Sequence, residues 1–238
     1  MKQNLRVHCF QHTACDSLNS CRELLLAHHA QITTTEFFAL PTEIALDIDA
    51  LPQVQDVDFL IVMGGKIHAD DEVNCPWLKV EKRWIRRYIA LKKPVLGLCV
   101  GGQIVANALG APVLKNEKHT MTWNRVQSVA NLPKDCFQMP EEMYVMSLSQ
   151  DISALPKGAI SLAINEDFQN SCYQIGRNIL GFQFSLEITQ DGLIDFLDEA
   201  ESVFDTEQSF IQLKNAPKDY FMSSHRVLEQ AIEYVLQS

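Results

Sequence analysis

The chain has 238 residues, 47% hydrophobic and 21% charged, which is the composition of a globular protein long enough to bury a full core without staples. Thirty acids against twenty bases leave a formal charge of −10, which speaks against sequence-independent binding to nucleic acid, because that needs lysines and arginines to displace counterions from phosphate; small molecules or proteins are the expected partners. Seven cysteines (Cys9, Cys15, Cys21, Cys75, Cys99, Cys136 and Cys172) are odd in number and lack paired ligand spacing, so neither a disulfide framework nor a metal site is expected and a reduced compartment is. No stretch approaches the ~20 apolar residues of a membrane span, and Met1 to Arg6 lack the apolar core of a signal peptide, so the expected address is cytoplasmic.

Short apolar runs alternate with longer segments of helical period, the pattern of a parallel sheet covered by helices on both faces. The first strand is expected at Leu5–Phe10, followed by a helix over Ser17–Ala30, on which Leu18, Cys21 and Leu25 recur at helical spacing. Thr34–Leu40 reads as the second strand, ended by Pro41, and Asp47–Asp58 as a polar connection into the strongest strand, Phe59–Met63, which Gly64-Gly65 breaks. From Trp77 to Lys92, Trp77, Val80, Trp84, Ile85, Tyr88 and Ile89 form one apolar stripe. The segment Lys79–Lys93 carries seven bases (Lys79, Lys82, Arg83, Arg86, Arg87, Lys92 and Lys93) against the single acid Glu81, so it holds +6 while the rest of the chain holds −16. It is either a solvated helix face or a docking surface for an acidic protein partner.

Pro94–Leu98 is the next strand, and Val100–Leu109 turns at once to helical period, with Gly110 placed to end it. Thr122–Ala130, Glu142–Leu148, Ala159–Ile164, Cys172–Ile175 and Ile179–Phe184 are short strands, expected to form a second, partly antiparallel sheet region. From Asp191 the pattern is helical again, and Ser223 or Ser224 is the expected cap of the last helix. No repeat or long linker divides the chain, so 1–238 is expected to be a single domain with its core motifs at about 59–189 and C-terminal helices over about 191–238.

The residues Gly97-Leu98-Cys99-Val100-Gly101-Gly102-Gln103 sit where a buried strand hands over to a helix. A nucleophile on such a tight turn needs small neighbours so that the backbone can fold back and a substrate can approach. A helix N-terminus favours the thiolate, and its free N–H groups can hold an oxyanion. On the heptapeptide alone, this reading and a buried cysteine beside helix-packing glycines are balanced.

Two further anchors stand in order along the chain: Met63-Gly64-Gly65 ends a strand upstream, and Gly181-Phe182-Gln183-Phe184-Ser185-Leu186-Glu187 ends one downstream. Together, from roughly Phe59 to Thr189, these resemble the class I glutamine amidotransferase family, especially stand-alone proteins related to the glutaminase domain of guanosine monophosphate synthase. The resemblance implies a flavodoxin-like α/β fold, a parallel sheet sandwiched by helices with a small additional antiparallel region, and no cofactor or metal. It implies that a cysteine thiolate attacks the side-chain amide of glutamine, ammonia leaves, and a γ-glutamyl thioester is hydrolysed, a histidine moving protons and a carboxylate orienting it. By motif position Cys99 is the nucleophile, the backbone N–H groups of Gly65 and Val100 are the oxyanion donors, Gly64 and Gln103 line the substrate pocket, and Glu187 is the orienting acid.

The family ends its last motif Phe-His-x-Glu, where this chain reads Phe184-Ser185-Leu186-Glu187. Ser185 therefore replaces the histidine, and a serine hydroxyl has no useful basicity at neutral pH. A His-Trp-His-Gly-Asp run of the relatives reads here Ser147-Leu148-Ser149-Gln150-Asp151, and a Glu-Ile-Gly-Trp segment that shapes the glutamine pocket reads Thr120-Met121-Thr122-Trp123, keeping only Trp123. The leading expectation is a family member whose glutamine hydrolysis is lost or severely reduced and whose pocket binds a ligand or partner. The alternative is an active cysteine hydrolase or amidotransferase on another γ-glutamyl or amide substrate, with His68 or His119 as its base; His8, His12, His28, His29 and His225 have no expected route to Cys99.

Overall fold

The computed structural model describes residues 4–14, 18–40, 46–165, 170–200 and 213–237, with the side chains of 19, 116–120, 148–150 and 198–200 left aside. Cys15, Ser17 and Pro41 lie outside the described residues. In chain order the elements are β1 (Arg6–Gln11), α1 (Asn19–Ala27), β2 (Gln31–Glu36), β3 (Phe59–Val62), α2 (Trp77–Ala90), β4 (Val95–Leu98), α3 (Val100–Ala108), β5 (Val113–Ser128), β6 (Glu142–Ser153), β7 (Ile160–Asn165), β8 (Cys172–Ile175), β9 (Ile179–Phe182), α4 (Gln190–Ala200) and α5 (Lys218–Leu236).

The strands form one nine-stranded sheet in the order β2-β1-β3-β4-β9-β8-β7-β5-β6. Its first half is parallel, β2 through β9, and its second half, β9 through β6, is antiparallel. The α/β class and the antiparallel region are as expected; the antiparallel strands continue the same sheet, joined to the parallel half through β9.

The two faces of the parallel half explain its continuous apolar strands. Phe59 and Ile61 of β3 join a core with α1 and α5, through Leu25, Leu228 and Ile232, while Leu60 and Val62 point the other way into a core with α2 and α3, through Ile85, Tyr88 and Ile104. The period-2 alternation of β3 is thus split between two apolar layers, and both sides are buried.

Several boundaries differ from those expected. β2 ends at Glu36 because Phe37–Ala39 turns into a short 3-10 segment that buries Phe37, and the 47–58 connection contains two more such turns. β5 and β6 are much longer than the apolar runs suggested, at 16 and 12 residues, and pair as a long hairpin with an irregularity between Lys115 and Thr120. Ser223 and Ser224 do not cap the last helix: α5 begins at Lys218 after Pro217, whose fixed φ suits a helix start, and both serines lie inside it. Gly110 does end α3, at φ +90, with its N–H on Asn107 and the next N–H, from Ala111, on Ala106, the bonding of a Schellman cap.

The basic character of α2 is only partly external. Lys82 is buried on Glu72 at 2.9 Å, and Lys93 donates to the carbonyls of Val54, Gln55 and Val57. The exposed bases are Lys79, Arg83, Arg86, Arg87 and Lys92.

Candidate active site at the end of the parallel strands

Cys99 stands between the last residue of β4 and the first of α3, with φ 53 and ψ −123, a conformation that L-residues adopt only under constraint. Three glycines make that constraint possible. A Cβ on Gly97 would lie 2.7 Å from the Gly102 Cα; one on Gly101 would lie 1.9 Å from the Val62 carbonyl oxygen; one on Gly102 would lie 2.4 Å from that of Phe182. The first turn of α3 therefore packs directly on the carboxyl ends of β3 and β9, which is why the turn after β4 can be so tight. Tyr173 locks it from β8 by donating its hydroxyl to the Gly102 carbonyl at 2.7 Å.

This packing brings the three sequence motifs to one end of the sheet. A Cβ on Gly101 would also lie 2.7 Å from the Met63 carbonyl oxygen, so the Gly64-Gly65 loop begins beside the elbow. The Cys99 N–H donates to the Phe184 carbonyl at 3.1 Å, which places Ser185 next along the chain from that contact. Ser185 in turn donates its N–H to Met146 of β6 at 2.9 Å. Cys99, Val100, Gln103, Ser185 and Glu187 are all buried, as are Gly64 and Gly65.

The long hairpin crosses the same end. From β6, Asp151 accepts the side-chain N–H of Gln103 on its carbonyl at 2.8 Å, and Ser153 is held by Gln183, whose amide bonds on both sides to Ser153 and Asn170. The Asp151 carboxylate meets His68 Nδ1 at 2.6 Å and Lys115 Nζ at 3.0 Å, and Lys115 also reaches Asp70 at 2.6 Å. Burial works to raise the Asp151 carboxyl, but its hydrogen bonds from Lys115 and His68 together hold it below the ordinary carboxylate range. Of the two histidines considered as substitute bases, His68 thus has a carboxylate behind it, while the His119 side chain lies outside the described residues, as do those of Thr120, Leu148, Ser149 and Gln150.

Glu187 accepts the N–H of Leu186 on its carboxylate at 2.9 Å, and its carbonyl accepts the Ser20 hydroxyl of α1. The Cys21 thiol is pushed up by burial and then by the Glu187 charge. Burial likewise raises Cys75, Cys136 and Cys172 and pushes Cys9 up to about 12. Trp123 packs on α5, with its ring centroid 4.9 Å from that of Phe221 and 5.3 Å from that of Tyr220; it pairs with Met146, the same residue that holds Ser185.

Two histidines given no route to the site border it. His12 bonds to the Met63 carbonyl at 2.9 Å, and His225 of α5 bonds to the Ile188 carbonyl at 3.0 Å, one residue beyond Glu187. No sequence signal marked either: His12 is a lone histidine after a strand, and His225 sits in a helix whose contacts are long-range.

Residues 13–191 match the family described as glutamine amidotransferase class-I. The glutamine amidotransferase-like protein YfeJ of Salmonella typhimurium is 24% identical over 155 residues, 63% of this chain and 65% of that protein. Gamma-glutamyl peptidase 4 of Arabidopsis thaliana is 27% identical over 161 residues, 65% of this chain and 64% of that one, so the chain spans just under two thirds of either relative. A GMP synthase of Aquifex aeolicus is 34% identical over 110 residues, 44% of this chain and 21% of its own. A solved glutamine amidotransferase from Thermotoga maritima shares the fold, with a TM-score of 0.79 at 20% identity over the whole of both chains. With the family match running over most of its length, the chain belongs to the class I glutamine amidotransferases.

Proposed function

We propose that this protein keeps the nucleophile of its family but hydrolyses glutamine not at all or very slowly, and that the pocket beside Cys99 binds a small amide such as glutamine or a related ligand. Ser185 carries the reading. It follows the residue that bonds to the Cys99 backbone, and a serine there can neither take the thiol proton at neutral pH nor return one to departing ammonia. Loss of one member of a triad removes most of the rate, because its members act as a unit. Purified protein incubated with glutamine should release no more ammonia than a Cys99→Ala control; robust turnover abolished by that substitution overturns the proposal.

A second reading is favoured by one contact, the 2.6 Å approach of His68 to Asp151. A carboxylate on Nδ1 fixes the tautomer of an imidazole and leaves Nε2 as the basic atom, the arrangement of a general base. In this reading Cys99 acts on another γ-glutamyl or amide substrate with His68 as its base. Its labelling by an amide-mimicking electrophile should then follow a histidine-like pKa and slow when His68 is replaced; an unchanged rate rules it out. In either reading, an acidic protein partner would meet the exposed bases of α2 and the turn after it, Lys79, Arg83, Arg86, Arg87 and Lys92.

A further inference from the structure

The loop Gly64-Gly65 is gripped from behind by buried ionisable groups that the chemistry above does not use. His12 follows β1, Glu81 lies in α2, and both side chains are fully buried. His12 Nδ1 meets the Met63 carbonyl at 2.9 Å, and Nε2 meets the two Glu81 oxygens at 3.0 and 3.2 Å. A backbone carbonyl only accepts, so Nδ1 carries the proton of that bond. An ionised carboxylate also only accepts, so the second ring nitrogen shares a further proton with Glu81, and the pair holds one proton more than a neutral imidazole beside a carboxylate. Phe37 and Trp77 lie nearly parallel to the ring, each with its centroid 5.5 Å away, and fix its orientation.

The Met63 carbonyl is where this pair meets the elbow. It takes the His12 N–H on one side and abuts Gly101, in the first turn after Cys99, on the other. His12 also touches the far end of the loop, where a Cβ on Gly65 would lie 2.7 Å from its own Cβ. One side chain thus contacts the residues on both sides of Gly64 and is anchored to a helix by an ion pair.

We propose that His12 is a positioning residue that sets the Gly64-Gly65 loop against Cys99, with Glu81 holding its ring in place. The proposal rests on Gly65 being an oxyanion donor, the role that the family resemblance implies for it. A donor is effective only when held within a fraction of an ångström of its productive place, so a loop released from its carbonyl anchor loses most of its effect on a developing oxyanion while leaving the thiol itself in place.

The test compares two reagents on Cys99, located by mass spectrometry. A glutamine-derived chloromethyl ketone gathers negative charge on its carbonyl oxygen as the thiolate displaces chloride; iodoacetamide alkylates without needing an oxyanion hole. Gln places its side-chain N–H where His12 has Nε2 and so keeps the Glu81 bond but not the Met63 bond, whereas Asn places its own where His12 has Nδ1. The ratio of ketone to iodoacetamide rates should fall at least tenfold in His12→Gln and stay within about threefold in His12→Asn. A wild-type ratio no higher than that of free cysteine, an unchanged ratio in His12→Gln, or an equal fall in both variants overturns the proposal. In the wild-type protein the ¹⁵N resonance of His12 Nδ1 should be that of a protonated nitrogen at pH 7, and an unprotonated Nδ1 overturns it with no variant needed. Ammonia release plays no part in these measurements, so the reading of glutamine hydrolysis and this proposal fail separately.

Discussion

The backbone N–H of Cys99 donates to the carbonyl of Phe184, so the turn after β4 is clamped to the chain that leads to Ser185 and Glu187. This clamp holds Cys99 at a positive φ, and the constraint has a measurable cost.

Cys99→Gly should be more stable than Cys99→Ala by about 1 kcal/mol. Both lose the thiol, but only alanine keeps a Cβ at φ 53, where the strain of an L-residue amounts to about 1–3 kcal/mol, partly offset by the greater freedom of glycine in the unfolded chain. Urea denaturation of the two variants gives the difference, and equal midpoints with equal slopes would mean that the elbow carries no backbone strain.

Gly101→Ala should be among the most damaging single-methyl additions in the chain, costing about 3 kcal/mol or more. Its Cβ would enter the space 1.9 Å from the Val62 carbonyl oxygen, and neither the strand end nor the helix can retreat without parting. Thermal unfolding checks this, and a loss no larger than that of Gly158→Ala, whose Cβ meets nothing within 4 Å, would show that the contact relaxes.

His8 predicts a loss of stability in mild acid. Burial pushes its imidazole from the ordinary 6.5 down to about 4, where it bonds as a neutral ring to Thr33 and Thr35. The unfolded chain therefore takes up this proton before the folded one, so the folded state is unaffected above pH 6.5, loses ground as the pH falls toward 4 and changes no further below it. The full effect is about 3 kcal/mol. His8→Gln should flatten the dependence of unfolding free energy on pH across that window; an unchanged slope would show that His8 takes up its proton equally in the folded and the unfolded chain.

Asp151 acts lower on the scale, and its contribution is already present at neutral pH. Its carboxyl is held below the ordinary range by Lys115 and His68, so it stabilises the fold above the unfolded value near 3.8, and the gain is lost as the pH falls through the folded one. Asp151→Asn should cost about 2 kcal/mol at pH 7 and less in strong acid. Denaturation at the two pH values measures the difference, and an equal cost at both would assign the effect to packing.

The parts of the fold legible in the sequence were those whose signal is local. β3 and β4 are short apolar runs, the one followed by Met63-Gly64-Gly65 and the other preceded by Pro94, β8 is found at Cys172–Ile175 as read, and Gly110 ends α3. The order of the three site motifs was legible for the same reason, each lying at a strand end. The hairpin was not, because Lys115–Thr120 and Ser147–Asp151 are mostly polar runs in which no alternation shows, and Asp151 and Ser153 are held by polar partners, Lys115 and His68 on the one and Gln183 on the other. Nor could spacing reveal that Glu81 and Lys82 turn inward. On a helix they belong to the apolar stripe, and only the partners His12 and Glu72, from distant segments, make that burial tolerable.

The register of β4 against β9 joins Val95 to Ile179 and Leu98 to Phe182, although the entire antiparallel half lies between them in the chain. During synthesis the elbow strand must therefore wait, paired on β3 alone and with its other edge open, until about another third of the protein has emerged. The site is the last part of the sheet to close, and a ribosome-bound chain halted before Ile179 would present the β4 edge, with Cys99 at its end, to any strand that could pair with it.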